Sequence, residues 1–159
     1  HLDYVRPGVM LYGSSPMAGK TGEELGLQPV MTLRSRLITI RDLKAGESIG
    51  YGATYVCDRD TRMGTVSVGY GDGYPRSAIN GTPVLVQTAS GSVRTRMIGR
   101  VSMDMITIDL TGIDEAQVDD EVTLWGEGLC ADEVARAAGT ISYELFCKVT
   151  PRVQVFYSE

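Results

Sequence analysis

Short runs that alternate apolar and polar residues dominate the chain, and such runs predict β-strands. In the run at residues 63–70, Val66, Val68 and Tyr70 share one face, so Tyr70 would continue a core face to the end of a strand. The other runs lie at residues 31–41, 83–87, 92–98, 101–110, 121–125 and 149–157. Many short strands with a turn about every ten residues predict a mostly β fold, an antiparallel β-barrel such as a Greek-key barrel, or a sandwich.

Signals for helices are fewer. Residues 131–138 are the one main helix that the sequence predicts, because Asp132 and Glu133 lie in its first turn and Gly139 follows its end. The sequence therefore predicts a mostly β domain with one main helix.

The first residues follow a different pattern. Residues 2–6 resemble a strand, and residues 9–13 form a short apolar helix candidate after the break at Pro7 and Gly8. The start of a helix exposes backbone amides, here those of Gly8 and Val9, that suit a phosphate group. A Pro-Gly break is more often a plain turn, so this signal is weak by itself.

A polar, glycine-rich segment follows at residues 14–28, and we interpret it as a linker that contains a domain boundary. The predicted domains are residues 1–28, the end of one domain plus the linker, and residues 29–159, a β-domain.

Composition and charge exclude several classes of protein. The chain has 159 residues, of which 43% are hydrophobic, and this suits one globular domain with a real core. Its net charge of −5 and its pI of about 4.9 argue against a nucleic-acid partner and against an anionic membrane surface. No apolar run approaches the roughly 18 residues of a membrane-spanning helix, and no signal-peptide pattern opens the chain.

Cysteine and histidine usage narrows the chemistry. The three cysteines, Cys57, Cys130 and Cys147, are widely spaced and lack metal-type spacing, so we expect no metal site and a reduced, cytoplasmic setting. The one histidine is His1, which argues against a histidine-based hydrolase.

The candidate chemistry centres on a tyrosine between two glycines. Gly50 and Gly52 give the backbone unusual freedom on both sides of Tyr51, so its phenol can be presented to something outside its own core. The alternative is that Tyr51 lies at a strand end and packs on apolar side chains, and that the glycines are there because a β-bulge needs them.

Three further clusters combine tyrosine or arginine with glycine or a helix end. They lie at residues 69–76 with Tyr70 and Arg76, at residues 99–105 with Arg100, and at residues 141–147 with Tyr143. Each cluster also has a plain structural interpretation. The first can be a tight turn, the second an ion pair on an edge strand, and the third a tyrosine that packs beneath the helix. Together they make a better candidate site than any one of them alone.

These clusters carry a resemblance to a known family. The sequence resembles the C-terminal part of the bacterial alanine racemase family, whose members use pyridoxal 5′-phosphate, over essentially its whole length. The resemblance rests on five motifs in family order, at residues 5–8, 50–55, 69–74, 99–104 and 141–144. It implies a (β/α)₈ cofactor barrel followed by a β-domain, with residues 1 to about 13 as a remnant of the last barrel strand and its phosphate-binding turn.

The resemblance also implies roles for single residues around the cofactor. Arg6 matches the residue that faces the pyridine nitrogen, and its lasting positive charge would keep that nitrogen from gaining a full proton. Gly8 and Val9 match amides that donate to the phosphate, and Tyr143 matches a hydroxyl that contacts the phosphate and narrows the entrance.

Substrate handling is implied for a second set of residues. Tyr51 resembles the general base for the Cα proton of L-alanine, a role in which nearby cations must favour the phenolate. The amide of Met103 matches a donor to the substrate carboxylate. The residues that match the entrance channel are Tyr70, Arg76, Arg100 and Ile141.

One departure from the family pattern matters. The family's second base is a lysine that also bonds the cofactor, and Lys20, Lys44 and Lys148 do not occupy its motif. We therefore expect this chain to be inactive alone. In the intact enzyme we expect a homodimer in which the β-domain of one subunit faces the pocket of the other, and D-alanine supply for the cell wall.

Two alternatives remain open on the sequence. A serine or broad-specificity racemase of the same family is the nearest, because specificity also depends on residues of the cofactor barrel. The other is a non-catalytic β-barrel interaction module, which would tolerate substitution at Tyr51 and Arg6.

Overall fold

The structure is a computed structural model that describes residues 3–157. Its strands are β1 (Leu33–Leu43), β2 (Ser48–Ile49), β3 (Tyr55–Val56), β4 (Thr61–Val66), β5 (Pro83–Thr88), β6 (Gly91–Ile98), β7 (Ile106–Asp109) and β8 (Glu121–Trp125). Its α-helices are α1 (Ala131–Ala137) and α2 (Ser142–Lys148), and short 3₁₀-helices lie at Gly8–Tyr12, Glu23–Leu25 and Tyr51–Ala53.

Six antiparallel strands close into a barrel in the order β1-β4-β7-β6-β5-β8. Closure comes from β8, which pairs with β5 on one side and with β1 on the other, where Leu33 faces Trp125. Strands β5, β6 and β7 follow one another as neighbours and β8 returns beside β5, which is the Greek-key arrangement. The prediction of a mostly β, antiparallel Greek-key barrel is confirmed.

The barrel strands bury one continuous core. It includes Leu37, Val66, Ile108 and Leu110, all fully buried. Gly64 lies among them in β4, and a β-carbon there would come within 2.8 Å of Leu110 Cδ1 and 2.7 Å of Leu37 Cδ2. The close packing of these large side chains therefore requires glycine at this position.

The small ladder of β2 and β3 is separate from the barrel and lies in the connection from β1 to β4. It rests on a second cluster of buried residues: Leu43, Ile49, Cys57, Met63 and Ile98. The ladder thus carries the 3₁₀-helix Tyr51–Ala53 on a hydrophobic base.

Helix α1 packs against β5, β8 and α2. Its Asp132 carboxylate oxygen Oδ2 accepts hydrogen bonds from the backbone amides of Ser15, at 2.9 Å, and Gly22, at 2.8 Å. Part of the segment predicted as a linker is therefore bound to α1 by the Asp132 side chain, and the position of a domain boundary stays a prediction.

Helix α2 was not predicted, since the sequence indicated one main helix. It begins after Ile141 and buries Ser142 and Leu145, and Lys148 forms an ion pair with Glu144 at 2.6 Å, one turn away. No side chain caps its N-terminus, so the usual start signal is absent. The helix is stabilised mainly by tertiary packing, because seven residues are too few to be stable alone.

The strand predicted at residues 149–157 is wrong. Pro151 and Arg152 form a turn closed by the Val153 amide on the Thr150 carbonyl, and residues 154–157 have no regular structure. Proline cannot donate to a sheet ladder, which disfavours a strand here.

Two predicted strands are shorter than expected. In residues 101–110 only Ile106–Asp109 is a strand, because the Ser102 hydroxyl and amide both bond Met105 and turn the chain. Strand β4 ends at Val66, so Tyr70 lies in a turn beyond it and does not continue the strand face.

The strand predicted at residues 2–6 falls partly outside the described residues. Residues 3–7 pair with no strand in the part of the chain that the structure describes, and an extended segment needs such a partner to form a ladder. The short helix predicted next is present as a 3₁₀-helix, Gly8–Tyr12, and it ends at Gly13 with a left-handed φ of 82°.

Candidate functional site

Tyr51 opens the 3₁₀-turn between β2 and β3, and its side chain is 75% exposed. Gly50 and Gly52 both have φ of 74°, a left-handed conformation that side chains with a β-carbon rarely adopt. The glycines therefore let the chain turn sharply on both sides of the phenol. The structure places Tyr51 at the surface and not packed on apolar side chains, so of the two interpretations that the sequence left open it favours the presented phenol.

Arg100 lies beside this turn. A β-carbon on Gly50 would be 3.5 Å from the Arg100 amide nitrogen, and one on Gly52 would be 4.0 Å from Arg100 Nη1. The guanidinium therefore brings a positive charge to the segment that carries Tyr51.

Residues 69–74 form a turn that docks on the loop after β6. The amide of Tyr70 donates to the Ser102 carbonyl at 3.0 Å, and the amide of Gly71 donates to the Met103 carbonyl at 2.8 Å. Asp72 Oδ2 accepts from the Gly69 amide at 2.9 Å and closes the turn. These bonds fix the Tyr70 and Met103 segments next to each other.

The two tyrosines of this turn have opposite environments. Tyr70 is 45% exposed, whereas Tyr74 is buried and its hydroxyl has no hydrogen-bond partner within residues 3–157. Burial raises the pKa of the Tyr74 phenol above its ordinary value. Tyr74 therefore belongs to the core, and Tyr70 alone faces outward.

Helix α2 brings Tyr143 to the N-terminal segment. The Tyr143 hydroxyl oxygen lies 3.7 Å from the position of a β-carbon on Gly8, and Tyr143 is 44% exposed. Two aromatic contacts of Phe146 support this approach: it stacks on Tyr12 with ring centroids 5.4 Å apart and meets Trp125 edge-on at 5.3 Å.

These contacts link most of the predicted site residues in one continuous strip, which we call the tyrosine strip. It runs from residues 50–54 through residues 99–105 to residues 69–74, by the contacts given above. From there it reaches the end of α2, where a β-carbon on Gly73 would collide with the Lys148 carbonyl group, and α2 reaches Gly8 through Tyr143. Ile141, 62% exposed, lies at the N-terminal end of α2 and so also belongs to the strip.

For three predicted site residues, no polar side-chain contact with the strip is found among the described residues. Arg6 and Arg76 are exposed and make no side-chain hydrogen bond or ion pair within residues 3–157. Val9 is buried at 3% exposure, so only its backbone is available for a ligand.

One residue of the strip was missed by the sequence reasoning. Arg152 bonds Asp72 and Asp104, the acidic residues of two motifs, but it lies in the segment that was predicted as a strand. No local pattern indicates it, because the partners lie far away along the chain.

The tyrosine strip is an open surface in this chain. A cavity of about 780 Å³ lies elsewhere, lined among others by Arg59, Arg94, Arg96 and Arg136, and a smaller one of about 280 Å³ lies beside Phe146. None of the predicted site residues lines either cavity.

Other kinds of site were also sought in the described part of the chain. Within residues 3–157 no group of three His, Cys, Asp or Glu side chains is arranged to hold a metal ion. No helix there is both long and apolar enough to cross a membrane.

Comparison with known proteins gives a consistent result. Residues 30–157 match the family described as "Alanine racemase, C-terminal domain". The chain is 58% identical over 158 residues to the alanine racemase of Nitrosomonas europaea and 56% identical over 158 residues to the biosynthetic alanine racemase of Pseudomonas aeruginosa. Each match covers 99% of this chain but only 42% and 43% of the relative, respectively.

Solved structures agree with this. The crystal structure of the biosynthetic alanine racemase from Pseudomonas aeruginosa superposes with a TM-score of 0.94 at 55% identity, over 100% of this chain and 43% of that one. The alanine racemase from Acinetobacter baumannii superposes with a TM-score of 0.85 at 45% identity, over 94% of this chain and 41% of that one.

Proposed function

The chain belongs to the alanine racemase C-terminal domain family, and we propose that it is the β-domain of a pyridoxal phosphate-dependent enzyme that interconverts L- and D-alanine. The observation that carries the proposal is the tyrosine strip, in which the turn of Tyr51, the Met103 loop and the Tyr70 turn adjoin one another. The chain spans about 42% of the length of a curated relative, so the activity is proposed for a longer protein that contains it.

The residues near Gly8 fit the phosphate end of the cofactor. Gly8 has a φ of 60°, and the space where its β-carbon would lie faces the Tyr143 hydroxyl. The first amides of a helix have no partner within it, so those of Gly8 and Val9 can donate to an anion. In the proposal these groups and Tyr143 hold the phosphate, and Arg6 faces the pyridine nitrogen.

Pyridoxal phosphate supplies the electron withdrawal that makes the Cα proton of an amino acid acidic enough to remove. Tyr51 is then the group of this chain that takes or returns that proton on the L face. Its exposure leaves the phenol accessible, and the guanidinium of Arg100 lies beside the same turn.

A second proton carrier must serve the opposite face, and the lysines of this chain do not suit that role. Lys44 is paired with Asp60 at 2.7 Å, Lys148 is paired with Glu144, and Lys20 is exposed in the segment before the barrel. The side-chain hydrogen bond to Asp60 raises the pKa of Lys44, so less of this amine is in the neutral form that could accept a proton. We propose that the second carrier comes from the part of the protein that precedes the match in the relatives.

The Met103 loop suits recognition of a carboxylate. The Met103 amide has no acceptor within residues 3–157, and the side chain is 52% exposed at the tip of its turn. A backbone amide without an acceptor among the described residues can donate to the carboxylate of alanine. Around it, Tyr70, Arg76, Arg100 and Ile141 would form the entrance.

The open surface of the strip suits a site shared between subunits. In a homodimer the strip of one subunit would cover the cofactor pocket of the other, which excludes water from the reaction. We propose such a homodimer in the cytoplasm, with D-alanine for cell-wall synthesis as its product.

The test is an exchange of domains. The matching C-terminal part of the Pseudomonas aeruginosa biosynthetic alanine racemase is replaced by this chain, and racemisation of L-alanine is followed by circular dichroism. We expect activity within about tenfold of the parent enzyme. A tenfold loss would correspond to ~1.4 kcal/mol of activation free energy, caused by imperfect contacts between this chain and the barrel of the host. The 159-residue chain alone should be inactive.

A hybrid that binds pyridoxal phosphate and unfolds cooperatively but does not racemise alanine would contradict the proposal. If that hybrid is insoluble, the same exchange into the Nitrosomonas europaea enzyme provides a second host. A folded hybrid that acts on serine and not on alanine would favour the alternative substrate class.

A further inference from the structure

Arg152 joins two loops of the tyrosine strip through one guanidinium group. Its Nε lies 3.3 Å from Asp72 Oδ1, and its Nη2 lies 2.6 Å from Asp104 Oδ1. Asp72 follows Tyr70 by two residues, and Asp104 directly follows Met103. One side chain therefore spans the two segments that carry the proposed entrance tyrosine and carboxylate donor.

The segment around Arg152 is itself fixed to the Tyr70 turn. The Thr150 amide donates to the Asp72 carbonyl at 3.1 Å, and the Thr150 hydroxyl donates to the Gly71 carbonyl at 2.9 Å. The guanidinium also occupies the space beside Gly71, where a β-carbon would collide with Arg152 Nη1 and lie 2.9 Å from the Met103 carbonyl oxygen. The position of Arg152 is thus set by backbone contacts as well as by charge.

Charge explains why a cation is needed between the loops. Asp72 and Asp104 are two carboxylates on adjacent segments, and without a cation between them they would repel each other. Asp72 is only 15% exposed, so solvent screens its charge weakly. Arginine presents separate nitrogens to separate acceptors, whereas a lysine ammonium would have to serve both from a single point.

We propose that Arg152 is a positioning residue that sets the spacing between Tyr70 and Met103. It acts through the two aspartates that it links. The effect on alanine rests on the proposed function, whereas the link between the loops does not depend on it.

The link is tested first on the 159-residue chain without ligands. Amide hydrogen exchange of Tyr70 and Gly71 reports the bonds to Ser102 and Met103. In Arg152→Gln we expect these two amides to exchange about tenfold faster, because local opening becomes easier. Arg152→Lys should give an intermediate exchange rate, since lysine keeps the positive charge but lacks the planar guanidinium that reaches both carboxylates.

A matched arginine controls for loss of a surface ion pair in general. Arg34 also bridges two carboxylates, Glu121 at 3.4 Å and Glu127 at 2.7 Å, and its side chain is 44% exposed against 48% for Arg152. Arg34→Gln should leave the exchange of the Tyr70 and Gly71 amides unchanged. Equal exchange in Arg152→Gln and the unsubstituted chain would overturn the proposal.

Kinetics of the hybrid enzyme test the consequence. Arg152→Gln should raise KM for alanine about tenfold and change kcat less than about threefold, the pattern expected when binding is lost equally in the ground and transition states. Arg34→Gln should change neither constant.

The outcomes separate this inference from the proposed function. Faster amide exchange with an inactive parent hybrid would support the link and contradict the proposed function. An active hybrid in which Arg152→Gln leaves KM unchanged would overturn the positioning role and leave the proposed function intact.

Discussion

The hydroxyl oxygen of Tyr143 lies 3.7 Å from the point that a β-carbon on Gly8 would occupy. These residues are far apart in sequence and belong to different short helices. Their approach brings a hydroxyl beside the first residue of a 3₁₀-helix, and hydroxyls and helix-start amides are suitable donors for a phosphate. A β-carbon on residue 8 would occupy the point that faces this hydroxyl.

Gly8→Ala should therefore weaken binding of pyridoxal phosphate to the hybrid enzyme by about tenfold, equivalent to loss of roughly one charge-assisted hydrogen bond. The matched control is Gly26→Ala. Gly26 has a similar φ of 71° but has no atom within 4 Å of the β-carbon position, so it shares the backbone strain only. Equal dissociation constants for the two variants, measured by absorbance titration, would show that the space at Gly8 does not receive the phosphate.

Tyr51→Phe in the hybrid should lower kcat in both directions by about 10² to 10⁴, the usual contribution of a general acid–base group. Exchange of the Cα proton with solvent deuterium should fall much more for L-alanine than for D-alanine, because the second base still serves the D face. Proton NMR of each enantiomer gives both rates. Tyr157→Phe, at a tyrosine that is 94% exposed outside the strip, should change neither rate.

Retention of the original ratio of the two exchange rates in Tyr51→Phe would contradict the assignment of Tyr51 to the L face. A packing role for Tyr51 would instead lower stability, but its 75% exposure argues for little change in the midpoint of unfolding.

Asp132→Ala should destabilise the chain by about 1–3 kcal/mol, because the amides of Ser15 and Gly22 lose their acceptor. The matched control is Glu133→Ala in the same helical turn. Both variants lose the favourable interaction of an acidic side chain with the helix N-terminus. Beyond that, Glu133→Ala loses only a surface ion pair with Arg94, which is worth about 0–1 kcal/mol. Urea unfolding measures the difference, and equal effects would mean that the two amide bonds add little.

Residues 29–159 should fold without residues 1–28, as the sequence predicts, because the barrel core is built by β1 and by β4 to β8. A cooperative thermal transition would support this. In the shortened chain Asp132→Ala should have about the same small effect as Glu133→Ala, since the amides it accepts from are gone. Loss of cooperative unfolding would show that the first segment is part of the core.

Alkylation should distinguish the three free thiols of the chain. Cys147 is exposed, Cys57 is buried, and burial raises the pKa of the partly buried Cys130. A raised pKa leaves less thiolate at a given pH, so Cys130 should react with iodoacetamide more slowly than Cys147 at pH 8. Mass spectrometry after timed quenching gives the order, and faster labelling of Cys130 would contradict the environment described.

Local signals carried most of what the sequence predicted correctly. The strands predicted at residues 83–87 and 92–98 are present as β5 and β6, and they pair as a hairpin within one short stretch of sequence. The glycine neighbours of Tyr51 indicated a sharp turn, but they left open whether its side chain is exposed or packed on apolar side chains. Periodicity failed at residues 149–157, where the proline turn and the lack of a partner strand within the described residues outweigh the apolar pattern.

Features that depend on distant partners could not be predicted in the same way. Tyr70 and Tyr74 have similar glycine-rich surroundings in sequence, yet one is exposed and the other buried, because only the packed core decides between them. Helix α2 lacks a capping signal and is held by Leu145 and Phe146 against the barrel. Arg152 and Asp104 are 48 positions apart in the sequence, so no local pattern predicts their contact.

The pairing of β1 with β8 also bears on how the domain is made. Leu33 meets Trp125, so the ring cannot close until the ribosome has synthesised nearly all of the barrel. Until then β1 and β5 each present a bare edge, and such edges readily pair with other nascent chains. At elongation rates of about 5–20 residues per second, this exposure lasts for several seconds. Messages that stall before the codon for Glu121 should therefore yield products that aggregate or recruit chaperones.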